Sequence, residues 1–126
     1  MLNRLYSSQG APRWVRYWFG GAALYATIAL LGSLVLPLPA PPALLPQLAF
    51  TFTALAFQIV FGMIAFDPVR YRPLMLAGVV EKLGFAVPVL GLAGSGGCER
   101  LAIPFGVIDL VLGAGFFLAW RATPRG

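Results

Sequence analysis

The chain has 126 residues, 60% hydrophobic and 10% charged, and nine Lys and Arg against four Asp and Glu leave a formal net charge of +5. A water-soluble domain charges about a quarter of its residues to cover its core, so a soluble fold is excluded. The lack of His and the single Cys98 exclude a histidine metal site, an internal disulfide and a dithiol redox centre, so no metal and no cofactor are expected.

Neither a GxxxxGK nor a GxGxxG phosphate loop occurs. The basic residues are scattered at the ends of apolar blocks, which suits lipid head groups and not nucleic acid.

Four apolar runs, about 17–36, 48–66, 73–92 and 101–120, each approach the ~20 residues that cross a bilayer core. They predict an all-α transmembrane four-helix bundle, a single membrane domain covering 1–126. The first run is too long for a signal-peptide core and is read as a retained anchor. The connection 37–47 holds five prolines (Pro37, Pro39, Pro41, Pro42 and Pro46) and no charge, and predicts a stiff extended crossover. The connection 67–72 begins Asp67-Pro68, a carboxylate able to accept backbone donors at a helical turn. It predicts a hairpin of spans two and three. Arg70 and Arg72 complete this turn and are read as phosphate contacts. The connection 93–100 is a Gly and Ser turn carrying Cys98, read as an exposed thiol.

Orientation follows from the cations outside the spans. Arg4, Arg13, Arg16, Arg70, Arg72, Arg121 and Arg125 fall on one side and Arg100 on the other. The excess predicts both termini in the cytoplasm and an inner (plasma) membrane location. Trp14, Tyr17, Trp18, Phe19, Tyr71 and Trp120 lie near the same boundary and read as interfacial anchors.

Glu81, Lys82, Asp109 and Gln58 stand inside the spans. Each ionised group there costs ~2.5 to 3.5 kcal/mol on insertion scales, so pairing, protonation or water must compensate it. At ~1.5 Å per residue from the cytoplasmic ends, Gln58 lies ~12 Å deep, Tyr25 and Glu81 ~13 Å, Lys82 ~15 Å and Asp109 ~18 Å. The five form one layer near the midplane.

Small residues accompany this layer. Thr51, Ala54, Gln58, Gly62 and Ala65 share a face of span two; Ala77, Gly78, Glu81, Gly84 and Pro88 of span three; Ala102, Gly106, Asp109 and Gly113 of span four. Ala22, Ala26, Ala29 and Ser33 run beside Tyr25 on span one. Small residues let helices approach closely in lipid, so these faces are expected inside.

Neighbours on a helix point about 100° apart, so Lys82 is expected to pair with Asp109 while Glu81 faces Gln58 or Tyr25. Two acids and one base leave one acid unmatched, which suits Glu81 as a proton or hydrogen-bond donor to a ligand. Pro88 also frees the carbonyl of Gly84 near the same place. A Lys82–Asp109 register clamp is the competing reading of the layer.

The segment FDPVRYRPLMLAGVVEKLGF, residues 66–85, resembles small bacterial four-helix integral membrane proteins. Those proteins carry a DPxRYRPL turn, an EK pair and a final span with a buried Asp, here Asp109. The layout is also similar, in architecture alone, to DoxX-like proteins and to the EXPERA group that includes emopamil-binding sterol isomerases. That likeness implies an apolar ligand held among buried acids, although isomerases of that group use His and this chain has none.

Three functions fit the sequence. One is a binding protein or enzyme for a small apolar molecule (quinone, isoprenoid or sterol-like) held by Glu81, Lys82, Asp109, Gln58 and Tyr25. Another is an accessory subunit of a larger membrane complex. The third is a proton-coupled transporter acting as a homo-oligomer, with Glu81 as carrier.

Overall fold

The computed structural model describes residues 10–125, so Arg4 of the charge count lies outside the described residues. Four helices follow in order: α1 (Arg13–Val35), α2 (Leu44–Phe66), α3 (Arg72–Ala93) and α4 (Ala102–Ala122). Each is long and apolar enough to cross a membrane. With 21 to 23 residues, each spans ~32 to 35 Å, slightly more than a ~30 Å hydrocarbon core.

Helix boundaries differ from the hydropathy reading where prolines and arginines mislead it. Helix α2 begins at Leu44 rather than Leu48, with Pro46 inside its first turn. The N–H groups of a first turn have no intrahelical partner, so proline sacrifices nothing there. Helix α1 begins at Arg13, four residues before the apolar run, because Arg and Trp are acceptable helix residues outside the hydrocarbon.

The 67–72 turn is tight. Asp67 caps α2 through its own N–H to Met63, and its carboxylate accepts the Arg70 N–H at 3.4 Å. At the opposite end α3 closes with Gly96 at φ +73° and the Gly97 N–H on Leu92 O at 3.1 Å. That six-residue closure requires a left-handed residue, which glycine supplies without a Cβ clash.

Helix α3 packs most broadly on α4, and α1 on α2; the α2–α3 and α1–α4 seams are narrower. The bundle is thus two close pairs set side by side. Its hydrophobic core lies toward the end carrying the helix termini and the 67–72 turn: Val15, Phe19, Ala22, Phe61, Ile64, Met75, Phe116 and Ala119. Phe19 and Phe116 stack at 4.1 Å between ring centroids, and Phe61 tilts against both at 6.0 and 4.9 Å.

Two expected anchors therefore face inward. Phe19 is fully buried, and Trp18 lies across the Gly115 backbone and donates its indole N–H to Leu112 O at 3.0 Å. A ring that finds both packing area and an acceptor inside gains more there than at head groups. Tyr17 and Trp14 do remain exposed.

Arginines also close this end. Arg16 Nε donates to Ala65 O at 3.0 Å, and Arg72 Nε to Trp120 O and Thr123 O at 3.0 and 2.7 Å, with its guanidinium 4.5 Å from the Trp120 ring. Arg72 is thus a cap for the C-terminus of α4: last-turn carbonyls need donors, and its Nε–H supplies one while the guanidinium stacks on Trp120. Arg70 stays exposed, 5.4 Å from the Tyr71 ring.

Candidate functional site

The half of the bundle toward the Pro-rich loop is built from smaller residues. Buried there are Ala26, Thr51, Ala54, Ala86 and Gly106. Four helices with small inward side chains cannot fill the space between two pairs, and a cavity of about 660 Å³ results. This falls within the ~300 to 1,000 Å³ of small-molecule pockets. Its walls are mostly apolar, from Ala29 and Val35 on α1 to Phe50 on α2 and Phe105 on α4.

Tyr25, Gln58, Glu81, Lys82 and Asp109 all line this one cavity. The helices bring them together because each lies about one-third to two-thirds along its helix from the same end of the bundle.

Their rotation differs from the expected one. The buried stripe of α3 is Met75, Gly78, Lys82, Ala86 and Val89, while Ala77, Gly84 and Pro88 are exposed. Lys82, not Glu81, occupies the inner face. The reason is packing against α4: Gly113 lets the Lys82 stem lie at backbone level, where an added Cβ would stand 3.1 Å from Lys82 Cβ. Val89 likewise abuts Gly106, where a Cβ would meet its Cγ1 at 2.9 Å. On α2 the stripe continues through Phe61 and Ile64, leaving Gly62 exposed. The α4 stripe through Gly106, Asp109 and Gly113 is inside or half-buried as read.

The ionic arrangement differs accordingly. Lys82 Nζ stands 3.6 Å from Asp109 Oδ1, the expected pair, and also 3.5 Å from Glu81 Oε2. A long flexible stem lets one ammonium reach the carboxylate next in sequence as well as the one across the interface. The Lys82 side chain is 3% exposed, against 13% and 14% for Glu81 and Asp109, so the cation is covered and the two acids flank it. Phe61 adds an aromatic face 5.5 Å from Nζ.

Gln58 is buried and donates its amide Nε2 to Ala54 O at 2.7 Å. Its Oε1 and Glu81 Oε2 are covered atoms without a hydrogen-bond partner. Such atoms cost about 1 to 3 kcal/mol each and call for an explanation.

A second cleft of about 380 Å³ lies in the α2–α3 seam, lined by Ala49, Thr53, Phe57 and Gly84. The residue freed of its helical donor by Pro88 therefore borders this outer cleft rather than the cavity. Glu81, Ala54, Phe50 and Phe85 border both spaces, and the rings of Phe50 and Phe85 stack at 5.5 Å across the seam. Sequence reasoning missed this pair. Aromatic residues at comparable distances from the 67–72 turn, Phe50 sixteen before Phe66 and Phe85 thirteen after Arg72, are its available signal, since a hairpin brings those positions level.

Cys98 is half-buried rather than exposed, with its thiol donating to Val89 O at 3.5 Å. Among the described residues no group of three or more His, Cys, Asp or Glu is placed to hold a metal ion.

The chain matches none of the family models, curated proteins or solved structures with which it was compared.

Proposed function

We propose that this four-span protein binds a small apolar molecule with one polar end, taken from the bilayer into the cavity of its loop half. The carrying observation is a cavity of about 660 Å³ whose long apolar wall ends in one patch of Tyr25, Gln58, Glu81, Lys82 and Asp109. An apolar wall supplies affinity and a few converging polar groups orient the ligand. A register clamp alone needs Lys82 and Asp109 but neither the space nor Gln58.

Access is lateral. The outer cleft lies in the α2–α3 seam, and Phe50, Ala54, Glu81 and Phe85 border both it and the cavity. Two stacked rings part by side-chain rotation without breaking a backbone hydrogen bond.

In the cell the termini and the 67–72 turn face the cytoplasm of a bacterial inner membrane. The support is the one-sided clustering of Arg13, Arg16, Arg70, Arg72, Arg121 and Arg125 at that end.

Native mass spectrometry of the protein, released in mild detergent from its own membrane, tests the reading. A small apolar molecule retained by the wild type and lost in Ala29→Leu, which projects a larger side chain into the cavity, is the expected result. A second polypeptide at fixed ratio and no small molecule would instead identify an accessory subunit.

A further inference from the structure

Resting on the ligand-site reading above, we propose that the bound molecule presents a hydroxyl to the polar patch, and not a carbonyl such as that of a quinone. The patch is rich in acceptors, and its one cation is already engaged.

Gln58 sets the preference. Its amide faces Ala54 O, which can only accept, so Nε2 must point there and Oε1 is left as the free end. The side chain is 6% exposed, and that oxygen has no partner. Glu81 Oε2 also makes no hydrogen bond, but it is ion-paired with Lys82 Nζ at 3.5 Å. Gln58 Oε1 is therefore a covered acceptor, on a residue of the cavity wall, that lacks a donor.

A carbonyl ligand would have to find a donor instead. Lys82 is the charged one, but it is 3% exposed and held between Glu81 and Asp109. The hydroxyls of Tyr25 and Thr51 on this wall donate or accept equally, and Ser33 is already spent on Leu30 O at 2.6 Å. A second cation would lie beside Lys82, so a neutral hydroxyl on an apolar tail fits better than an ammonium.

The test compares two molecules with one tail, radiolabelled farnesol and its methyl ether, by equilibrium binding to the full chain in lipid nanodiscs. The alcohol should bind at least tenfold more tightly than the ether. In Gln58→Leu, and in Gln58→Met as a second variant should the first not fold, that ratio should fall severalfold toward one. Equal binding of alcohol and ether by the wild type overturns the hydroxyl preference while leaving the cavity as a ligand site. Binding of neither, by wild type and Ala29→Leu alike, removes the site and the preference together.

Discussion

The two halves of this bundle are made from the same four helices, yet one is solid and the other hollow. Toward the termini, Phe19, Phe61 and Phe116 fill the space between the helix pairs, and Arg16, Trp18 and Arg72 tie helix to helix through backbone carbonyls. Toward the loops, the inward residues are mostly alanines, with Thr51, Val89 and Gly106, and the polar side chains gather at the boundary between the two halves. In lipid no hydrophobic effect presses helices together, so packing and interhelical hydrogen bonds decide where they meet. The closed half holds the pairs at a set distance, and the small residues of the other half leave that distance unfilled.

If the boundary layer holds the two halves in register, removing its cation should have the largest effect. Lys82→Met leaves Glu81 and Asp109 near one another without their shared partner. Loss of one member of a buried charge network costs about 3 to 5 kcal/mol. Thermal unfolding in detergent, followed by circular dichroism, should show this loss, with much of it recovered in a Lys82→Met, Asp109→Leu double variant. Full stability in the single variant would remove the layer from the account of the fold.

Overpacking the closed half comes next. Gly115→Leu would drive a side chain into the Trp18 indole, and Gly78→Leu one into Phe61 and Phe116, whose nearest atoms stand 2.9 and 3.2 Å from an added Cβ. Each should cost about 1 to 3 kcal/mol. The same change at Gly62, where nothing lies within 4 Å, should be close to neutral.

Cutting a helix-end clamp should cost less. Arg72→Lys retains charge but loses the Nε–H shared by two carbonyls and the planar group that stacks on Trp120, an expected loss of about 1 kcal/mol. Arg70→Lys, on the exposed side of the turn, is the control and should lie within about 0.5 kcal/mol of wild type.

The smallest stability change is expected in the hollow half. Ser33→Leu and Ala29→Leu add volume where there is room, and both should melt within about 0.5 kcal/mol of wild type, as substitutions that break no packing do. They should nevertheless lose the retained small molecule in native mass spectrometry. Loss of stability without loss of ligand would reverse the assignment of the two halves.

Much of this could be read before any coordinates. Blocks of apolar residues near 20 long specify four spans, since backbone in lipid must satisfy its own hydrogen bonds within a helix. The five polar residues could be placed at one depth because rise per residue is constant. Rotation about each helix axis was another matter. Small-residue spacing admitted Glu81 with Gly84 and Pro88 as the inner face of α3, but the contact of Lys82 with Gly113 turns that face by about one residue. Phe19 and Trp18 read as interfacial rings, and only the glycines and carbonyls of α4 show that they are core.

The sequence by itself thus determined the number of helices, their approximate extents, the common level of the polar residues and the clustering of arginines at one end. These depend on quantities that add along a single chain: transfer free energy, rise per residue and charge. The tertiary structure decided which residues face one another, that Lys82 lies between two acids, that Arg72 caps α4, and that the loop half leaves a cavity. Those outcomes depend on the fit of one helix surface to another, where neighbouring residues on a helix differ by about 100° and no one-dimensional pattern chooses between them.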